Sequence, residues 1–313
     1  MAGKAYADEE KAKNTIHLKG LLEQLPPFCY TYFRGISQTT SVKTRMGYAY
    51  DLKVFFGFLC AEHKDFKGVK FEDIRPEDLE LVNSEDIEEF LDYVSIYSPY
   101  NDEDGICGKE TILNSESAKA RKLAAVRSMY KYYLRKGYIS TDPAALVDTP
   151  KIHDKNIIRL EANEVANLLD EVETGENLTE RQQKFHEKTK IRDLAIITTL
   201  VGTGIRVSEC VGLNIDDINF DNFSFVITRK GGKEAEIYFG DEVAEALSDY
   251  LVYRKAHPPV DENDKALFLS NRGKRISVRQ VELMVKKYAQ TAVKTKKITP
   301  HKLRITFGTN LYL

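Results

Sequence analysis

The chain predicts a mainly α fold with one small β-hairpin sheet, divided into two domains. Three observations lead there. Apolar residues recur at three- and four-residue steps through most of the chain, the period of one helix face. The step shortens to two only across residues 221–240, and a polar, proline-bearing stretch at 148–155 carries little periodicity of either kind. At 313 residues and 42% hydrophobic content, the chain can build two ordinary cores.

In chain order, the first predicted helix covers residues 41–60, where Tyr48, Leu52, Phe55, Phe56 and Leu59 line one face and Ser41 stands at the N-cap. Residues 83–97 repeat the pattern with Ile87, Phe90, Leu91 and Val94, Ser84 preceding the acids of a first turn. Residues 101–108 read as a polar loop. A third helix, 115–136, puts Leu123, Val126, Tyr130 and Tyr133 on one face, and Arg127, Lys131 and Arg135, four apart, form a cationic ridge beside it. Gly137 ends it, and Thr141-Asp142-Pro143 starts a turn. The second half opens with a helix near 161–172 and a charged loop. A more apolar helix follows through Leu194, Ile197, Leu200 and Val201, interrupted by Gly202 and Gly204. Phe223, Phe225 and Ile227, then Ala235, Ile237 and Phe239, flank Lys230-Gly231-Gly232-Lys233, which predicts a hairpin with a basic tip. Helices resume at 242–255 and 278–292.

Net charge −2 argues against a nucleic-acid binder until the charges are located. Residues 72–104 hold thirteen acids against Arg75 alone, a stretch that repels DNA. Residues 109–136 hold eight bases against two acids, and 272–304 eleven bases against Glu282. Two basic surfaces suit gripping a polyanion from two sides; two solvated helix faces are the other reading. Residues 1–13 are charged and no run of about 18 apolar residues exists to span a bilayer. The expectation is a cytoplasmic protein with no membrane partner. Cys29, Cys60, Cys107 and Cys210 form no CxxC pair and read as free thiols, and no carboxylate or Cys/His cluster has metal spacing. No cofactor is expected.

Three short motifs could carry chemistry. In Thr203-Gly204-Ile205-Arg206-Val207-Ser208-Glu209 the glycine permits a tight turn into a new helix, so Arg206 falls near free amides, with Glu209 three residues on to hold its guanidinium. Lys230 at the hairpin tip could project an ammonium into a groove. In Thr299-Pro300-His301-Lys302-Leu303-Arg304, His301 and Arg304 share one face of a helix opening after Pro300. An imidazole beside a guanidinium suits phosphate chemistry: one moves protons and the other neutralises charge. Each motif alone also fits an ordinary capped helix or turn.

Together these motifs resemble those of the tyrosine recombinases, of the Xer and phage-integrase type. The likeness extends to Thr44, Tyr48, Asp51, Leu52, Phe55, Phe58 and Leu59, to Arg121-Lys122-Leu123-Ala124-Ala125-Val126-Arg127-Ser128-Met129-Tyr130, and to Asp142-Pro143-Ala144-Ala145-Leu146 with Pro150-Lys151, so it spans roughly 37–313. It implies a helical, SAM-like core-binding domain over 14–147, a linker over 148–157 and an α+β catalytic domain over 158–313. Thr44, Arg45, Arg121, Lys122, Arg127 and Lys131 would contact double-stranded DNA. Arg206 and Arg304 would bind the scissile phosphate, Lys230 would protonate the leaving 5′ hydroxyl, and His301 would assist proton transfer at the nucleophile. A tyrosine would form a 3′-phosphotyrosyl link without metal or ATP, within a tetrameric synapse of copies on DNA.

The chain departs from that pattern at its end. The family's nucleophile and its third histidine or tryptophan lie beyond the helix that His301 begins, whereas Tyr312 stands only eight residues after Arg304. A chain cut short of its nucleophile would bind its site without cleaving it. A type IB topoisomerase-like enzyme and a catalytically silent DNA-binding protein are the alternatives.

Overall fold

The computed structural model describes residues 2–101, 106–107, 110–153, 156–229, 232–261 and 264–310. The chain folds into two compact units, 9–154 and 155–313, the second also taking residues 1–8. Helices dominate both, with small antiparallel sheets.

The first unit holds most of α1 (Ala2–Leu22), then α2 (Cys29–Gly35), α3 (Val42–Glu62), α4 (Ser84–Tyr93) and α5 (Glu116–Lys136). α3 starts where expected, because the Ser41 hydroxyl accepts the Thr44 N–H at 3.1 Å. Its apolar face meets that of α5: Leu52, Phe55, Phe56 and Leu59 share a core with Leu123, Val126, Tyr130 and Tyr133. Burying each such side chain contributes about 1.5–3 kcal/mol. α4 is capped by Asn83, whose side-chain Oδ1 accepts the N–H groups of Glu85 and Asp86. It also ends four residues before Tyr97. Ile96–Tyr97 (β1) pairs with Ile112–Leu113 (β4), and Tyr100–Asn101 (β2) with Ile106–Cys107 (β3), where the sequence suggested helix through residue 97 and a loop over 101–108. α5 terminates at Gly137, whose φ of 74° lies in the left-handed region.

The second unit holds α6 (Ala162–Thr174), α7 (Glu180–His186), α8 (Lys190–Thr203), α9 (Val207–Gly212), α10 (Asp241–Ala256), α11 (Val278–Ala292) and α12 (Pro300–Asn310), together with a three-stranded sheet whose middle strand packs against α9. The sheet runs in order Ile218–Asn219 (β5), Ser224–Thr228 (β6) and Glu234–Tyr238 (β7). α8 is the central helix: it carries Ile196, Ile197 and Leu200, all fully buried, and packs against α6, α10 and α12. Phe225, Ile227 and Phe239 enter the core as the period-two pattern requires. Phe223 does not: it precedes β6 in a turn at φ 48° and is 41% exposed. Among the described residues no helix is long and apolar enough to cross a membrane.

Candidate active site

The site forms where α8 stops. Gly204 adopts φ 61° and its N–H closes the helix on the Leu200 carbonyl. Buried Ile205 anchors the turn, and Arg206 follows in extended conformation as the N-cap of α9. Glu209 binds this arginine twice: Oε2 accepts the Arg206 backbone N–H at 2.7 Å and Oε1 accepts Nη1 at 2.9 Å. The Glu209 side chain is only 5% exposed while that of Arg206 is 54% exposed, so one edge of the guanidinium is fixed and the rest faces outward.

α12 brings the second arginine to the same turn. Leu303 and Thr306, three residues apart and fully buried, form its inner face. The Thr306 hydroxyl donates to the Lys302 carbonyl and accepts the Leu160 N–H, both at 2.9 Å, which fixes the helix against the segment preceding α6. Arg304 Nη1 donates to the Gly204 carbonyl, two residues before Arg206. A Cβ at position 204 would overlap the Phe307 ring, so only glycine fits there. His301 lies one turn before Arg304, exposed, and has no side-chain partner among the described residues.

Lys230 and Tyr312 lie outside the described residues. Between β6 and β7, Arg229 N–H donates to the Lys233 carbonyl (2.7 Å) and Gly232 N–H to the Arg229 carbonyl (3.0 Å).

The expected DNA contacts of the first unit separate into two groups. Thr44 and Lys131 are exposed. Arg45 is half-buried, and its Nε is enclosed without a partner among the described residues. Arg121, half-exposed, pairs with Asp51, which is 1% exposed. Lys122 is a correction: it is 5% exposed, with its ammonium 3.5 Å from Asp51 Oδ1, and serves as an internal counter-charge. Burial pushes the Asp51 carboxyl up and the Lys122 ammonium down from their ordinary values, and their mutual attraction offsets this only in part. Arg127 is also committed. Its Nε donates to the Ala144 carbonyl at 3.0 Å, Nη1 to Thr149 Oγ1 at 2.7 Å, and Nη2 to the Val147 carbonyl.

Sequence reasoning passes over Asp193, 1% exposed near the other end of α8. It accepts from Thr189 Oγ1 and the Tyr288 hydroxyl, both at 2.9 Å, and from Arg192 Nε at 3.0 Å, with Lys287 at 3.6 Å. Burial, reinforced by that carboxylate, holds the Tyr288 hydroxyl protonated far above its ordinary range. The available signal is register: 193, 196, 197 and 200 fall on one helix face.

The model of the phage integrase family matches residues 158–313. The tyrosine recombinase XerC of Caldanaerobacter subterraneus subsp. tengcongensis is 36% identical over 286 residues, covering 90% of this chain and 73% of that protein. The tyrosine recombinase XerS of Streptococcus mutans is 30% identical over 316 residues, covering 93% and 86%. Among solved structures, XerH on a palindromic difH substrate aligns with TM-score 0.62 at 19% identity, covering 88% of this chain and 70% of that one. A λ integrase (75–356) dimer on a COC′ core site aligns with TM-score 0.61 at 15% identity, covering 90% and 87%. With a relative of this identity along nine-tenths of its length, the chain belongs to the tyrosine recombinases of the phage integrase family.

Proposed function

We propose that the chain is a site-specific DNA recombinase that holds a scissile phosphate against Arg206 and Arg304. The observation that carries this is their convergence on one turn: Arg304 grips the Gly204 carbonyl, Glu209 pins Arg206, and the Arg206 guanidinium stays largely exposed. Two oriented cations placed before substrate arrives are what charge build-up on a pentacovalent phosphorus requires. On this reading His301 moves a proton at the nucleophile and Lys230 protonates the leaving 5′ hydroxyl. A tyrosine attack conserves bond energy in a 3′-phosphotyrosyl link. Residues 14–147 bind duplex DNA, 148–157 link, and 158–313 form the catalytic domain that holds the phosphate. Copies of the chain assemble on DNA, which is supported by the fold neighbour described as a λ integrase tetramer bound to a Holliday junction.

On this reading the nucleophile is none of residues 1–313, so these residues by themselves should hold and polarise the phosphate without attacking it. The test uses a duplex selected from a random pool, with single phosphates replaced one at a time by neutral methylphosphonates. One position should weaken the wild type but not Arg206→Ala or Arg304→Ala. Absence of any such position removes the phosphate-holding assignment. Incubation with nicked duplex should give no covalent adduct in a denaturing gel, and an adduct at Tyr312 would overturn the exclusion of that residue. Supercoil relaxation without strand exchange would favour a topoisomerase instead.

A further inference from the structure

The guanidinium of Arg127 is spent on backbone and side-chain oxygens of the segment that leaves the first unit. That segment returns along α5 after Gly137. Ile139, Pro143, Ala144 and Val147 are buried, and Asp142 Oδ1 caps a short 3₁₀ turn through the Ala145 N–H at 3.1 Å. Arg127 then takes three oxygens in succession, from Ala144, Val147 and Thr149. Past Thr149 the character changes. Lys151, Ile152 and His153 are exposed, and among the described residues from 150 to 158 the chain makes no hydrogen bond. At Leu160 it is held again, by Thr306.

We propose that Arg127 is a positioning residue that sets where the first unit ends and the tether to the second begins. This rests on the reading that both units engage one duplex. With the contacts in place the tether starts at Pro150; without them it starts at about residue 144, half as long again. Effective concentration falls as roughly the −3/2 power of tether length, so the second unit should engage about twofold less effectively. A planar fork with donors on Nε and both Nη atoms suits three separated oxygens, and lysine, a single point donor, cannot reproduce it.

The test compares Arg127→Gln, Thr149→Ala and Lys131→Gln in the full chain, using hydrogen exchange and binding to a random-sequence duplex over a range of salt. Loss of charge-assisted hydrogen bonds in Arg127→Gln should speed exchange of amides 145–149 by about tenfold or more. Affinity should fall about twofold with the salt slope unchanged, because no phosphate contact is lost. Thr149→Ala, an exposed substitution that does not threaten folding, should show the same pattern more weakly. Lys131→Gln should instead reduce the slope by about 0.9 and leave exchange unchanged. A slope reduced by Arg127→Gln would make Arg127 a phosphate contact and overturn the proposal. So would unchanged exchange in both latch variants, or raised exchange with unchanged affinity. A wild-type chain without salt-dependent binding would sink the DNA reading itself, and the exchange data would still report on the latch.

Discussion

Replacing Gly204 with alanine perturbs the turn on which both arginines depend. An L side chain at φ 61° costs about 1–2 kcal/mol, and a Cβ overlapping the Phe307 ring adds about 1–3 kcal/mol of overpacking. Gly204→Ala should therefore destabilise the second unit by about 2–5 kcal/mol. The two costs are separable. In a Phe307→Ala background the overlap disappears and only the backbone strain remains, so the double variant should be about 1–3 kcal/mol more stable than the sum of the singles. Denaturant-dependent hydrogen exchange of amides in α8 and α12 reads this within the unit, independently of how the first unit unfolds. Additive costs would refute the argument, since they would mean that ring and glycine do not share the space. Any variant that folds should also lose phosphate discrimination in the methylphosphonate scan, because the carbonyl that orients Arg304 has moved.

The remaining predictions concern the charges around each core. Asp51→Asn should cost about 3–5 kcal/mol by leaving Lys122 buried without its counter-charge, and adding Lys122→Met should recover most of it; urea unfolding followed by circular dichroism checks both. Glu209→Gln should weaken the hold on Arg206 and depress DNA affinity only where the scissile phosphate is charged, a contrast the methylphosphonate series measures. The Glu164 carboxyl is lowered from its ordinary 4.5 by Lys296 and by the Glu161 N–H. Its contribution is therefore present above that value and lost as pH falls through the lower folded-state value. The melting-temperature gap between wild type and Glu164→Gln should close on acidification below 4.5, and a gap independent of pH would contradict the assignment.

What the sequence discloses and what it hides follow from the range of each interaction. His301 and Arg304 are three residues apart on α12, where helix geometry places them on one face, and the same spacing from N-cap to N3 brings Arg206 and Glu209 together in a capping box. The Gly204 carbonyl that receives Arg304 is a backbone acceptor one hundred residues away and leaves no composition or spacing signal. Charge counting treats Lys122 as a surface base because it ignores direction. Its register with Val126, Met129 and Tyr133 places it on the buried face, as does that of Asp51 beside Leu52 and Phe55. The strands β1 to β4 span two residues each, too few to show a period. α1 escapes notice for a related reason: its apolar positions are sparse among charges, and Leu18 and Leu21 of its last turns reach the first core.

The hydrogen bond from the Leu160 amide to Thr306 has a mechanical consequence. Leu160 is where the tether enters the second core, and Thr306 sits two residues beyond Arg304 on the helix that begins at Pro300. A pull on the segment before Leu160 is therefore passed to α12 through a fully buried hydroxyl. A shift of the anchor at 160 thus has a short path, through Thr306 and Arg304, to the Gly204 carbonyl at the end of α8.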